Sequence, residues 1–243
     1  MAQKILVLSG KGGVGKSTVA ACLAAALKKL GKSVLCIDAD IGFRSLDLIM
    51  KVGSEAVYNW QDVIEGRCDL ASALVKNSGS VELLAAPSQR SEAVTEQSVK
   101  ELLKKLDNDY EFVFVDAPAG SGELHRMFAK ACDTALLIVT PDPVCVRSAQ
   151  TAVDMALSAN ENLDTRLVIN RFNRLEVLSG RQLKLDEVVD ITRTQLLGVI
   201  PESDSVRLMA SGEEITKYAC SAFERTAKRL LGESVRFNIK DFY

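Results

Sequence analysis

Short apolar runs alternate with helical patterns along the whole chain. Seven runs predict strands at residues 4–9, 33–38, 81–85, 111–116, 134–140, 165–171 and 196–200. Several of them are continuously apolar instead of alternating between apolar and polar residues, which is typical of strands covered on both faces. The pattern therefore predicts an α/β fold, a doubly wound, mostly parallel sheet with helices on both faces.

Helical periodicity fills most of the intervals between these strands. Residues 19–30 form an alanine-rich pattern that stops at Gly31, and residues 213–231 predict a longer final helix. Residues 77–80 read as a turn before a strand. Because 243 residues suit one α/β core and no repeat or linker is visible, we expect a single domain over 1–243, with 234–243 as a short tail.

Composition and charge narrow the class of protein. Hydrophobic residues make up 47% and charged residues 26%, and the net charge is −2, so nothing draws the whole chain towards nucleic acid and we predict no specific nucleic-acid partner. No apolar run approaches the ~20 residues that span a bilayer. The chain starts almost directly with a strand, which leaves no room for a signal peptide and predicts a cytoplasmic location.

The cysteines and the histidine carry no metal-site pattern. No Cys-x-x-Cys pair occurs, which favours reduced thiols packed in the core. The lone His125 is expected to be a surface residue or one with satisfied hydrogen bonds, not a ligand. The six cysteines are Cys22, Cys36, Cys68, Cys132, Cys145 and Cys220.

The most specific motif follows the first strand. Residues 10–18 read Gly-Lys-Gly-Gly-Val-Gly-Lys-Ser-Thr, which satisfies the phosphate-binding loop pattern in its required place between a strand and a helix. Backbone N–H groups would surround the phosphates, Lys16 would reach the β and γ phosphates, and Ser17 would ligate Mg²⁺. The candidate nucleotide-binding residues here are Gly10, Lys11, Gly12, Gly13, Val14, Gly15, Lys16, Ser17 and Thr18.

Carboxylates end two of the predicted strands, where open parallel sheets bind their ligands. Asp116 follows four apolar residues and fits a Walker B carboxylate that holds Mg²⁺ through water. Asp38 is assigned with Ser17 and Asp116 to the magnesium shell. Asp40 lies two residues past its strand and is our candidate for positioning the attacking water.

Lys11 goes beyond the generic motif. The reading Lys-Gly-Gly-Val-Gly-Lys-Ser-Thr at 11–18 resembles the deviant Walker A loop of the MinD/ParA family of ATPases. Residues 37–50, 57–59, 62–66, 116–120, 199–202 and 229–233 extend the resemblance, which is stronger to MinD than to ParA members. It implies that Lys11 reaches the partner's phosphates across an ATP-dependent homodimer, and that Lys11, Lys16 and Asp40 are catalytic. The alternative is that Lys11 is a solvated loop lysine.

The resemblance also points to the base-binding residues. Asn170, Arg171 and Pro201 match the family's adenine-contacting loops, and the guanine-specific Asn-Lys-x-Asp pattern of GTPases is absent. We therefore expect ATP with Mg²⁺ instead of GTP. Asn170 as the cap of a turn and Pro201 as a residue that stiffens a loop remain alternatives.

By resemblance, the chain is a slow, dimerisation-coupled ATPase that regulates septum placement in cell division. The family recruits a division inhibitor and attaches to the inner face of the cell membrane. Two departures bear on this: the tail 234–243 lacks the family's amphipathic helix, and residues 147–150 read Arg-Ser-Ala-Gln where the family's partner-binding helix carries acids. Ser45 also stands where MinD proteins usually have asparagine.

Other functions share the same loop. A positioning ATPase of the flagellar-number type and a soluble ATP-dependent scaffold with negligible turnover remain open alternatives. Iron–sulfur relatives depend on paired cysteines at a dimer axis, and no such pair is visible. Amidating ligases need a substrate pocket and a source of ammonia for which the chain has no additional domain.

Overall fold

The computed structural model describes residues 1–52, 56–76, 81–118, 120, 122–208 and 214–237. The predicted turn at 77–80 and the end of the tail, 238–243, lie outside the described residues. The described residues form eight strands: β1 (Gln3–Leu8), β2 (Val34–Asp38), β3 (Leu74–Val75), β4 (Glu82–Leu84), β5 (Phe112–Asp116), β6 (Thr134–Val139), β7 (Asp164–Phe172) and β8 (Gln195–Pro201).

Helices connect these strands and cover the sheet. Those within the described residues are α1 (Lys16–Lys29), α2 (Ser45–Ile49), α3 (Trp60–Ile64), α4 (Leu70–Ala73), α5 (Glu96–Lys105), α6 (Glu123–Ala131), α7 (Pro143–Ala159), α8 (Arg174–Leu178), α9 (Leu185–Thr192), α10 (Asp204–Arg207) and α11 (Lys217–Leu230). No helix in the described part of the chain combines the length and the apolar character that crossing a membrane requires.

The strands form one sheet in the order β3-β4-β2-β5-β1-β6-β7-β8. Every neighbouring pair is parallel except β3 and β4, so the predicted doubly wound, mostly parallel sheet is confirmed. All seven predicted strands are present. The sequence pattern missed β3, because two residues are too few to show a period.

The core lies on both sides of the central strands. Every residue of β2, β5 and β6 is buried, as their continuously apolar runs predict. On the β8 side, α11 packs directly on the sheet at Gly198, where a Cβ atom would lie 2.2 Å from Thr226 Oγ1. This close approach explains a glycine in the middle of a strand.

Backbone signals set the ends of the helices near the site. Gly15 adopts a left-handed φ of 89° at the N-cap of α1, and Gly31 takes a φ of 83° just after that helix ends. At the start of α7, the Asp142 carboxylate accepts from Cys145 N–H at 2.9 Å, and Pro143 occupies the first helical turn. The final helix starts at Lys217, later than predicted, and Glu213 lies outside the described residues.

Candidate functional site

The loop between β1 and α1 lies at the carboxyl edge of the sheet, packed against α7. A Cβ atom on Gly10 would lie 2.1 Å from the backbone carbonyl carbon of Ser148, so only glycine fits between the loop and that helix. Gly13 has a φ of 79°, in the left-handed region that favours glycine. The loop then enters α1 at Gly15, which leaves the first N–H groups of α1 available to an anion.

Lys16 is held by Asp116 beneath this loop. Lys16 Nζ donates to Asp116 Oδ1 at 2.6 Å, and both side chains are buried. Complete burial raises the pKa of the Asp116 carboxyl, and the charge of Lys16 opposes that rise. Asp116 Oδ2 is also buried and has no hydrogen-bond partner. A buried pair with one oxygen left over is prepared to accept a further donor or a cation.

Asp38 faces the same place from the neighbouring strand. The register of β2 and β5 pairs Asp38 with Asp116. Asp38 Oδ1 accepts from Asp40 N–H at 2.9 Å and Oδ2 from Leu46 N–H at 3.0 Å, so this carboxylate anchors the loop that leads into α2. Burial raises the pKa of Asp38 to about 6, although both backbone hydrogen bonds oppose the shift.

Hydroxyl and carboxylate oxygens at this point fit a magnesium ion. Ser17 Oγ and Ser45 Oγ lie 3.1 Å apart near the start of α1. Hard oxygen ligands of the kind that Mg²⁺ uses are present on Ser17, Asp38 and Asp116. Among them, the buried Asp116 Oδ2 has no hydrogen-bond partner and could accept a bond from the ion or its water. The described residues contain no group of three or more His, Cys, Asp or Glu side chains that could hold a metal. Nucleotide and water oxygens would therefore complete the shell.

Asp40 and Lys11 lie at the exposed edge of the site. Asp40 is half-buried, and its charge contributes to the raised pKa of Asp116. Lys11 is exposed together with the two glycines that follow it, and no ion pair among the described residues includes it. The two lysines of the loop therefore differ: Lys16 is buried within its own site, and the side chain of Lys11 is exposed at the surface, where a second protein could contact it.

A cavity of about 350 Å³ opens beside the start of α1. Asn170, Arg171 and Pro201 line it, next to Gly15 and Thr18. Asn170 Nδ2 donates to Val14 O at 2.8 Å, so its amide nitrogen supports the phosphate loop while Oδ1 remains as an acceptor. The structure thus brings the predicted base-binding residues together against the phosphate loop.

Sequence reasoning missed two residues that shape the site. Trp60 Nε1 donates to the backbone carbonyl of Asp38 at 2.8 Å, and Trp60 is fully buried. Arg207 lines the base cavity together with Glu202, which belongs to the segment 199–202 of the family resemblance. The single tryptophan was a signal, because a buried indole N–H almost always has a partner. Nothing in the sequence pattern pointed to Arg207.

The chain is similar over nearly its whole length to known P-loop NTPases. The family model described as ParA, NUBPL iron-transfer P-loop NTPase, matches residues 1–227. The septum site-determining protein MinD of Bacillus subtilis strain 168 is 35% identical over 249 residues, covering 98% of this chain and 92% of that protein.

Solved structures agree with that match. A chain of the MinC:MinD cell division protein complex from Aquifex aeolicus has a TM-score of 0.88 at 34% identity, and the match covers 98% of this chain and 99% of that chain. The septum site-determining protein MinD from Pyrococcus horikoshii, complexed with Mg-ADP, has a TM-score of 0.81 at 28% identity, covering 95% and 96%.

Proposed function

This chain belongs to the MinD/ParA family of P-loop NTPases, and we propose that it is an ATP-hydrolysing dimeric switch that places the division septum. The observation that carries the proposal is the unequal pair of lysines in one loop. Lys16 is buried against Asp116, as a residue of its own site should be, and Lys11 is exposed, as a residue that serves a second protomer should be.

Nucleotide binding starts with an exchange of partners at Lys16. The β and γ phosphates offer the lysine more negative charge than Asp116 does, and the N–H groups at the start of α1 add to that attraction. When Lys16 turns to the phosphates, the Asp116 carboxylate is left without its counter-charge. Ser17, Asp38 and Asp116 would then hold Mg²⁺, directly or through water, and the bound ion would neutralise charge on the β and γ phosphates.

Hydrolysis transfers the γ-phosphoryl group of ATP to water and gives ADP and phosphate. Asp40 accepts a hydrogen bond from the attacking water and so orients it, because it follows Asp38 at the same strand end. Lys11 of a second protomer would add a positive charge that stabilises the negative charge on the phosphate oxygens in the transition state. A site that lacks this lysine turns over slowly, which couples hydrolysis to dimerisation.

Apolar side chains at the carboxyl edge of the sheet support a dimer across this face. Phe43, Val144 and Leu175 follow the ends of β2, β6 and β7 within five residues, so they share that edge, and they are 80%, 62% and 72% exposed. Exposed apolar side chains that a partner covers are a common feature of protein interfaces. A second copy seated here would cover them.

The base cavity favours adenine. With its amide nitrogen committed to Val14 O, Asn170 presents an oxygen that accepts from the exocyclic amino group of adenine, whereas guanine presents a carbonyl at that position. Arg171 and Pro201 would bound the base on the exposed side. We expect replacement of Asn170 by aspartate to weaken both the loop and ATP binding.

The remaining assignments concern the whole chain. We propose that 1–243 is one ATPase domain, that 234–243 is its tail, and that a division inhibitor is its partner, as MinC is for the Aquifex relative. Arg229 Nε donates to Val235 O at 2.8 Å, and its guanidinium lies 3.7 Å from the centre of the Phe237 ring. The start of the tail therefore packs on α11. We place the protein in the cytoplasm, at the inner face of the membrane when a surface recruits it.

Light scattering combined with phosphate release tests this function. We expect a monomer with ADP, a dimer with ATP, and slow turnover that Lys11→Ala and Asp40→Ala each abolish. Anionic vesicles in a parallel arm separate a membrane switch, which sediments with them, from a soluble positioning ATPase, which does not. A protein that remains monomeric with ATP contradicts the switch, and a dimer without turnover supports the scaffold instead.

A further inference from the structure

The single histidine of the chain is buried beside the nucleotide site. His125 lies in the first turn of α6 and is 1% exposed. Its Nε2 is 2.6 Å from the backbone carbonyl oxygen of Pro118, and its Nδ1 accepts from Gly122 N–H at 3.2 Å. One ring therefore holds both ends of the loop that follows β5.

These two contacts determine the protonation state of the ring. Gly122 N–H is a donor, so Nδ1 carries no proton, and Nε2–H donates to the Pro118 carbonyl. A neutral ring with its proton on Nε2 satisfies both partners. An imidazolium would carry a proton on Nδ1 as well and would lose the hydrogen bond from Gly122 N–H. Burial lowers the pKa of His125 and outweighs the hydrogen bond to the Pro118 carbonyl, which raises it; the charge of Lys16 lowers the pKa further, and the charge of Asp40 raises it.

The loop held by His125 lies beside the phosphate-binding loop. It begins directly after Asp116 and includes Gly120, whose N–H donates to Ser9 O at 3.2 Å. Ser9 follows β1 directly and precedes the phosphate loop, so this hydrogen bond joins the two loops. This hydrogen bond holds Gly120 beside the phosphate-binding loop.

The same helix also reaches the other side of the site. Phe128 lies three residues after His125, and its ring meets the Trp60 ring edge to face, with centroids 6.1 Å apart. Trp60 in turn donates to the backbone carbonyl of Asp38 at 2.8 Å. Helix α6 therefore contacts the loop after β5 through His125 and the end of β2 through Phe128 and Trp60.

We propose that His125 is a positioning residue for phosphoryl transfer, which clasps the loop after β5 at Pro118 and Gly122 and sets the place of Gly120 at the γ-phosphate. The inference rests on the proposed function, because the loop matters to hydrolysis only where ATP binds. His125 itself touches no phosphate. Its removal should therefore lower turnover far more than nucleotide affinity.

Nitrogen NMR of the histidine ring tests the two hydrogen bonds of His125, here called the clasp, without a measurement of ATPase activity. Because the chain has one histidine, protein labelled with ¹⁵N-histidine and prepared without a histidine tag gives one imidazole to assign. We expect a neutral ring protonated at Nε2, with a pKa below the ordinary histidine value. A ring protonated at Nδ1, or one that titrates with the ordinary pKa, overturns the clasp.

Two substitutions at this position, His125→Ala and His125→Gln, separate positioning from support of the fold. In His125→Gln the side-chain nitrogen reaches the place of Nε2. We expect His125→Ala to lower the turnover rate about fivefold to tenfold, the loss of one to two hydrogen bonds, with ATP affinity changed less than about twofold. His125→Gln should recover most of the rate, because the contact with Pro118 is the shorter one.

The control is Arg126→Ala, an exposed neighbour on the same helix, which should keep the full rate. Equal turnover in wild type and His125→Ala overturns the inference. The inference is also overturned if His125→Ala lowers ATP affinity, turnover and stability in urea together and His125→Gln restores none of them. That result would mean that His125 only supports the fold. If the wild type binds no ATP, the proposed function fails, and the NMR result still decides whether the clasp exists.

Discussion

Lys16 and Asp116 form a buried ion pair whose charges depend on each other. Breaking such a pair from one side leaves an uncompensated buried charge, whereas removing both charges together costs much less. We expect Lys16→Gln to lower the free energy of unfolding of the nucleotide-free protein by about 3 kcal/mol, and Asp116→Asn to lower it as well. The double variant Lys16→Gln/Asp116→Asn should recover most of the loss.

Urea unfolding of the four proteins at neutral pH measures this coupling. The described structure gives each side chain only the other as an ion-pair partner. Losses that simply add in the double variant would show that the two groups do not depend on each other in the nucleotide-free state.

Asp38 links stability to pH. Its folded pKa of about 6 lies above the ordinary value of 3.8, so the fold favours the protonated carboxyl, and its contribution is full below pH 4 and lost as the pH rises through 6. A shift of about two units corresponds to about 3 kcal/mol. We therefore expect the difference in unfolding free energy between Asp38→Asn and wild type to move in favour of the variant by up to that amount between pH 4 and pH 7.

The slope of that difference is the informative quantity. Asparagine loses one of the two acceptors that hold Asp40 N–H and Leu46 N–H, but that loss is the same at every pH. Urea unfolding of both proteins at four pH values separates the two effects. A difference that stays constant with pH would contradict the raised pKa.

Residues of the phosphate loop could be placed from the sequence, because spacing and chemistry are local there. Asp38 and Asp116 could be paired because parallel strands end at one edge of a sheet. Trp60 and His125 could not be placed, because their partners, Asp38 O and Pro118 O, are backbone atoms 22 and 7 residues away. Backbone acceptors leave no trace in a side-chain pattern.

At the scale of elements, the contact between the phosphate loop and α7 depends on one missing side chain. A Cβ atom on Gly10 would lie 2.1 Å from Ser148 C and 2.3 Å from Ala149 N, and backbone atoms cannot move aside as a flexible side chain does. We expect Gly10→Ala to lower the free energy of unfolding by about 3 kcal/mol.

Gly13→Ala is the matched control for that substitution. It lies in the same loop with a φ of 79°, but nothing lies within 4 Å of its added Cβ, so only backbone strain of about 1 to 2 kcal/mol should appear. Thermal unfolding without nucleotide compares them. Equal losses in the two variants would mean that the packing against α7 is not as tight as the structure has it.

Sequence periodicity predicted whether each long element is a helix or a strand, but it did not always predict the residues at which the element begins and ends. The phosphate-loop motif predicts a helix that starts near Lys16, and α1 begins there in the structure, whereas α11 begins at Lys217, later than the predicted residue 213. The strand pattern missed β3, which depends on antiparallel pairing of Leu74 and Val75 with β4. Pairing across strands is set by the whole fold and not by the local run of residues.

At the scale of the whole molecule, the sheet gathers everything the proposed reaction needs at one edge. The phosphate loop follows β1, Asp38 and Asp116 end β2 and β5, and Asn170 lies near the end of β7. These four strands are adjacent or nearly so in the order of the sheet. The exposed Lys11 and the exposed apolar residues lie at that same edge. One protomer thus supplies a binding site, and we expect the complete catalytic site to need two.

Mixing two inactive variants tests that claim most directly. Lys11→Ala keeps its own Asp40, and Asp40→Ala keeps the lysine that a partner would use, so a mixed dimer contains one complete site if Lys11 acts across the interface. We predict that each variant alone releases almost no phosphate from ATP and that an equal mixture recovers up to about a quarter of the wild-type rate, since about half of the dimers are mixed. A mixture that stays as inactive as its components would contradict the shared site.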